Sequence, residues 1–195
     1  MADLRIAAAV LAAGQSRRFG ADDKLAASFN GLRLGELVPA TLAGLGFAER
    51  WVITRRDDHP CAPGWRKAGF AVAINERAAE GMGQSLALAA RLARAAGADA
   101  LLVALADMPI VPANHFAALL ARAASAGPQA ILASQAGSHR SPPALFGRDQ
   151  FGELAEAAGD HGARHLLARA EPVDCPPDWL SDIDEPADLA RLAPR

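Results

Sequence analysis

The chain has 195 residues, 51% of them hydrophobic and 22% charged, with a net charge of −2. That is enough chain for one domain over residues 1–195 with a sizeable core, and too apolar for a disordered one. A pI near 6.2 lacks the basic excess of a nucleic-acid binder, no apolar run reaches the length of a membrane span, and two distant cysteines, Cys61 and Cys175, make neither a zinc motif nor a disulfide framework.

The first element is an apolar run, with a strand expected over Arg5–Leu11. Asp3 precedes it and Arg17-Arg18 follow it, the reverse of a secretory leader's charge order, so a reducing cytoplasm is the expected location. The run empties into a loop with Gly14, Ser16 and Gly20, and with Arg17, Arg18 and Lys24 on or beside it. Glycines let backbone N–H groups converge on an anion, and cations add charge, so the loop reads as a phosphate-binding device. It matches neither G-x-x-x-x-G-K-[ST] nor G-x-G-x-x-G. An ordinary strand-to-helix turn on a basic surface is the plainer alternative. Arg17 and Arg18 cannot both point inward, and Lys24 reads as an exposed lysine of the site.

Further strands are expected over Arg50–Thr54, Phe70–Ile74, Ala100–Ala106 and Ala130–Ser134, and helices over Gly35–Gly46, Gln84–Ala96, Pro112–Ala126, Asp149–Ala158 and Ala163–Arg169. Alternation of this kind gives βαβ units, a mostly parallel sheet and a three-layer α/β/α fold. Gly, Ser, His, Arg and two prolines over Gln135–Pro143 read as a mobile loop over the site. Trp51, Trp65 and Trp179 read as packing. His161 and His165 lie four apart without an H-E-x-x-H pattern, which favours a solvated helix face over a metal site. No G-x-S-x-G elbow supports hydrolase chemistry.

Three more segments carry candidate chemistry. The strand at Leu101 ends in Asp107-Met-Pro109, and ligands bind beyond the carboxyl ends of strands in open parallel sheets. Asp107 would then share an edge with Gly14 and could hold Mg²⁺ beside phosphates, since Mg²⁺ favours few carboxylates plus substrate oxygens. Capping of the helix near Pro112 is its structural alternative. In Asp182-Ile-Asp184-Glu-Pro, an extended course is expected to turn the two acids opposite ways, leaving one to complete a carboxylate pair around the metal; Asp184 is equally suited to cap a helix beginning at Pro186. In Asn75–Ser85, Gly81 and Gly83 precede a helix whose amino end could hold a base or phosphate, or simply be capped by Gln84 or Ser85.

These segments, in this order, resemble the nucleotidyltransferases of molybdenum-cofactor maturation, over nearly the whole chain. The family's L-A-A-G-x-S-x-R-F-G and Lys match at Leu11–Lys24, its Asn…G-M-x-x-S-L at Asn75–Leu86 and its D-M-P at Asp107–Pro109. Pro143-Ala-Leu-Phe, Gly159-Asp160-His-Gly-Ala-Arg164 and Asp182–Leu189 resemble three further motifs. The resemblance implies a Rossmann-like fold and transfer of a nucleotide to molybdopterin with release of pyrophosphate. It implies that Leu11, Ala12, Ala13 and Gly14 contact the nucleotide by backbone, with Asn75, Gly81 and Ser85 at its base or ribose. Lys24 and Arg18 or Arg17 would stabilise the departing pyrophosphate, and Asp107 with Asp184 would hold Mg²⁺. The acceptor pterin would lie toward Arg140, Pro143, Asp160, Arg164 and Asp182. Ala13 is typical of the cytidylyl branch and favours CTP. The spacing Gly20–Lys24 follows the guanylyl branch, and Ala106 replaces the Gly usual before D-M-P. Expected partners are therefore small-molecule nucleotide and pterin substrates, with a molybdenum hydroxylase apo-enzyme as recipient. A related transferase using GTP or another phosphate acceptor (a sugar, alcohol or phospholactate), and a non-catalytic cofactor chaperone, are the rival readings.

Overall fold

Ile6–Leu11 forms strand β1, every residue of it buried. A strand covered on both faces has no use for alternation, which is why it reads as a continuous apolar run. The structure, a computed structural model, describes residues 4–14, 19, 23–156 and 164–192. A single 3-10 turn over Lys24–Ala26 leads to a small hairpin, β2 (Ser28–Phe29) and β3 (Leu32–Arg33). Then follow α1 (Leu34–Leu42), β4 (Glu49–Thr54), α2 (Ala62–Lys67), β5 (Ala71–Ile74), α3 (Met82–Ala95), β6 (Ala100–Leu105) and α4 (Ala113–Ala126). The last third holds β7 (Ile131–Ala136), β8 (His139–Gly147), α5 (Phe151–Ala155), α6 (Arg164–Arg169), β9 (Glu171–Asp174) and α7 (Pro186–Leu192).

Seven strands form one sheet in the order β5-β4-β1-β6-β8-β7-β9. All share one direction except β8, which runs antiparallel to both β6 and β7. The expected three-layer α/β/α architecture with a mostly parallel sheet is what forms. Alternate residues of β1 serve opposite layers. Ala8 and Val10 pack with Val38 and Leu42 of α1, Trp65 of α2 and Phe116 and Leu119 of α4. Ala7 and Ala9 pack with Leu86, Ala89 and Ala90 of α3, Phe151 of α5 and Leu166 of α6. The Trp65 ring is fully buried and Trp51 half-buried, as packing residues should be.

One expectation needs correction, and one strand gave no sequence signal. Gln135–Pro143 is no loop: it is the end of β7, a tight turn at Gly137-Ser138, and the start of β8. Proline was the misleading signal. Here Pro142 and Pro143 fall where the β7–β8 register shifts, between Ala133 and Ser134, and a bulge is where a strand tolerates a residue without an N–H. Strand β9 gives no run to notice, being four residues with Pro172 inside; it is an edge strand paired only with β7, where a missing donor matters least.

Candidate functional site

β1 and β6 are neighbours in register from Ile6 opposite Ala100 to Leu11 opposite Leu105. The pairing runs on into the loops, where the Ala106 N–H donates to the Leu11 carbonyl at 3.1 Å. Gly14 and Asp107 therefore emerge side by side at the carboxyl edge of the sheet. A cavity of about 310 Å³ opens there, lined by Leu11, Ala13, Gly14, Gly81, Met82, Ser85 and Asp107 among others. Gly14 is exposed, and a Cβ on it would meet nothing within 4 Å. Among the described residues no contact demands glycine at that point, and the open space beside it leaves room for a ligand to approach the backbone closely.

The amino end of α3 borders the same cavity. Gly81 ends the preceding 3-10 turn with φ of +115°, a backbone region that L side chains rarely adopt. The cap position of α3 is Gly81, which makes no side-chain cap hydrogen bond. Ser85 instead accepts a hydrogen bond from the Asn75 amide at 2.9 Å, and the Asn75 carbonyl oxygen accepts from the Arg77 N–H at 3.0 Å. Both are buried, and Asn75 braces the rim from behind the residues that line it.

The charged centre joins three remote segments. The Lys24 ammonium donates to Asp107 Oδ2 at 2.8 Å and Asp184 Oδ1 at 3.2 Å. Lys24 is 8% exposed, which corrects the expectation of an exposed lysine. Burial alone would lower its pKa; the Asp107 and Asp184 carboxylates outweigh it and hold the ammonium above its usual range. Asp107 does not cap α4, whose cap position is Pro112. The Asp107 carbonyl accepts the Ile183 N–H at 2.9 Å and so docks the 182–184 segment onto the end of β6. At the start of α7, Asp188 accepts from the Asp184 and Glu185 N–H groups at 3.0 and 2.9 Å, which holds its carboxyl down to about 2.

The two acids of this segment do not face opposite ways. Residues two apart in an extended chain share a face, and the one between them, Ile183, is fully buried on the other. Asp182 thus joins Asp184 and Asp107: partial desolvation, then the charges of those two carboxylates, push its carboxyl above its usual range. Within this group of carboxylates the Lys24 ammonium pairs with Asp107 and Asp184. Among the described residues no ready-made cluster of three metal ligands exists. The donor chemistry nevertheless suits a hard divalent cation that takes one or two carboxylates and completes its shell with substrate oxygens. Asp107 and Asp184 could hold it.

A second cavity of about 230 Å³ adjoins the first and shares Leu11, Met82 and Leu105 with it. Arg140 and Arg164 line it, with Pro142, Phe146 and Leu167. Arg140 is held by the Gln135 side chain at 2.9 Å and the Ala168 carbonyl at 2.6 Å. Pro143 is buried behind the wall, its carbonyl accepting from Ser134 at 2.7 Å, and Pro142 is the proline that lines the cavity. Ala12 also stands behind the lining, in the core, its N–H on the Ile53 carbonyl at 2.8 Å. Arg18 and Asp160 lie outside the described residues, as do Arg17 and His161. His165 pairs with Glu153 on the surface, away from both cavities.

The sequence profile of the MobA-like NTP transferase domain matches residues 8–173. The chain belongs to this family. It is 31% identical over 202 residues to the Bacillus subtilis purine catabolism protein PucB, covering 94% of each chain. It is 31% identical over 216 residues to a molybdenum cofactor guanylyltransferase of Cereibacter sphaeroides, covering 96% of this chain and 95% of that one. Among solved structures, Rv0371c of Mycobacterium tuberculosis H37Rv superposes with a TM-score of 0.72 at 27% identity, over 98% of both chains. Its complex with manganese superposes at 0.68 and 25% identity, over 96% of this chain and 97% of that one. The chain is a nucleotidyltransferase of the MobA-like type. No helix among the described residues is long and apolar enough to cross a membrane.

Proposed function

We propose that this MobA-like enzyme transfers a nucleoside monophosphate from an NTP to the terminal phosphate of molybdopterin, with CTP as donor. The carrying observation is the convergence of Lys24, Asp107 and Asp184 beside the cavity edged by Gly14 and the amino end of α3. The triphosphate lies over Gly14, and Ser85, Gly81 and Ala13 face its base and ribose. The acceptor occupies the second cavity, its anionic groups met by Arg140 and Arg164. An acceptor phosphate oxygen attacks the α-phosphorus in line; the new P–O bond forms as the bond to the β-phosphate oxygen breaks and pyrophosphate leaves. That oxygen is already anionic, so no general base is required, and orientation with charge neutralisation carries the catalysis. The Lys24 ammonium moves from its carboxylate partners onto the leaving pyrophosphate. Mg²⁺, held by Asp107 and Asp184, would supply Lewis-acid neutralisation of phosphate charge; the manganese complex of Rv0371c supports a divalent ion in this family.

CTP rests on Ala13, which is 7% exposed and lines the cavity: its methyl crowds a purine more than a pyrimidine. GTP is the second reading, favoured by the guanylyltransferase relative. Equal concentrations of CTP and GTP with molybdopterin, followed by mass spectrometry of the product, decide between them. Cytidylyl product is expected. Ala13→Gly should narrow the preference by roughly 10- to 200-fold, the range for contacts of methyl size. Predominant guanylyl product overturns the CTP assignment, and no pyrophosphate release with any NTP overturns transfer itself.

A further inference from the structure

Behind Lys24 lies a buried polar cluster that the transfer reaction, as described, does not use. Asp23 precedes the 3-10 turn that carries Lys24. Its Oδ1 accepts from the Leu25 N–H at 3.0 Å, and its Oδ2 lies 2.9 Å from His59 Nε2. His59 is 5% exposed and stacks on Trp65 at 4.7 Å between ring centroids. Trp65 is itself anchored, its indole N–H on the Gly35 carbonyl at 2.7 Å. The other imidazole nitrogen, Nδ1, accepts the Cys61 N–H at 3.1 Å. A nitrogen that accepts carries no proton, so the neutral ring keeps its proton on Nε2 and donates to Asp23. The Cys61 thiol donates to the Leu25 carbonyl at 3.1 Å, gripping the same turn from its other side. The hydrogen bond from His59 is the largest influence holding the Asp23 carboxyl below its usual range.

We propose that His59 is a positioning residue for nucleotidyl transfer. Acting through Asp23, it fixes the Lys24 turn so that the ammonium reaches the space between Asp107 and Asp184 and, with substrate bound, the triphosphate. The ring meets the Asp23 carboxylate, the Cys61 N–H and Trp65, so its effect on Lys24 passes through Asp23 and the backbone of the turn. A histidine that merely filled space beside Trp65 would need neither a fixed proton nor an acceptor. The inference rests on the reading of Lys24 as the cation that meets the triphosphate.

A double-mutant cycle tests it. His59→Leu removes the donor while keeping apolar bulk, and His59→Gln places an amide N–H where Nε2–H stood. Steady-state kinetics are measured for each, alone and combined with Lys24→Met, beside melting temperatures. His59→Leu should lower kcat/KM for the NTP at least about tenfold and leave the acceptor KM within about twofold. His59→Gln should recover activity to within about threefold of wild type, and in the Lys24→Met background His59→Leu should cost less than about twofold further. An undiminished loss in that background, with Lys24→Met itself strongly impaired, overturns the positioning role and leaves the Lys24 reading standing. Full activity of Lys24→Met alone overturns both. If His59→Leu does not fold, Asp23→Asn reads the same cycle: its carbonyl oxygen keeps the bond from the Leu25 N–H, while its amide faces Nε2–H donor to donor.

Discussion

Replacing Lys24 with Met should lower both stability and transfer, and the two losses have different sizes. A unit-charge pair at contact attracts by about 4 kcal/mol at an effective dielectric of about 20, and by about 1 kcal/mol in water. Lys24 makes two such contacts, but the Asp107 and Asp184 side chains keep 25% and 39% of their exposure. Water can therefore take over part of the ammonium's role, and the cost of burying the ammonium disappears with it. The net loss should be about 1–2 kcal/mol, below the ~3–5 kcal/mol of a fully buried pair broken on one side. At about 2–4 °C per kcal/mol for a chain of this size, the melting temperature should fall by about 2–8 °C. Transfer should suffer more, because the triphosphate loses a cation: about a hundredfold in kcat/KM, or ~2.7 kcal/mol at 1.36 kcal/mol per decade. Differential scanning fluorimetry and a pyrophosphate-release assay read the two effects. A divalent ion should raise the melting temperature of the variant more than that of wild type, since the variant's carboxylates lack their ammonium. An unchanged melting temperature with transfer within threefold of wild type would refute this account of the charged centre.

Asp107→Asn should keep the fold, because the carbonyl that docks Ile183 is main-chain, yet lose about a hundredfold or more in metal-dependent turnover; near-normal turnover would reduce Asp107 to an anchor. Gly14→Ala should leave the melting temperature unchanged, since its Cβ meets open space, and raise the KM for the NTP; an unchanged KM would remove the ligand from that point. Burial holds the His115 imidazole below its usual range, so the folded protein favours the neutral ring. Below about pH 6.5 the unfolded chain takes up a proton that the folded ring resists, so stability should fall as pH drops through that value. The lowered carboxyls of Asp23 and Asp188 act only below about pH 4. Denaturant melts between pH 7.5 and 5 should show the slope in wild type and lose it in His115→Gln; an equal slope in both assigns the effect elsewhere.

What could be read from the residues was whatever the sheet imposes locally. Ile6–Leu11 and Leu101–Leu105 announce themselves because both faces of a central strand are covered, and their loops must then share an edge. That alone places Gly14 beside Asp107. What stayed hidden depends on contacts between distant segments. Lys24 looks like a surface lysine until Asp184, 160 residues later, is docked beside it by one hydrogen bond from Ile183. The β7–β8 hairpin was masked by its prolines, since composition cannot tell a bulge from a loop. His59 carried no local signal: a lone histidine after Arg55–Asp58 reads as surface, and only its contact with Asp23 gives it a part.

The same contacts explain why a strongly charged centre can sit on the end of a core strand. Asp107, Asp182 and Asp184 would repel one another at the edge of the sheet if nothing were set among them. Lys24 supplies one charge at the cost of burying an ammonium, while burial first, and then the Asp184 and Asp107 charges, hold the Asp182 carboxyl above its usual range. On the proposed reading, a nucleotide that drew Lys24 onto its phosphates would take a positive charge from beside Asp107 and Asp184 and so raise the affinity for a divalent cation. Binding of NTP and metal should therefore be mutually reinforcing, as reciprocity between sites requires. On the proposed reading, the lysine that pairs with Asp107 and Asp184 is also the one that meets the triphosphate, and a shift between the two positions would couple the two ligands.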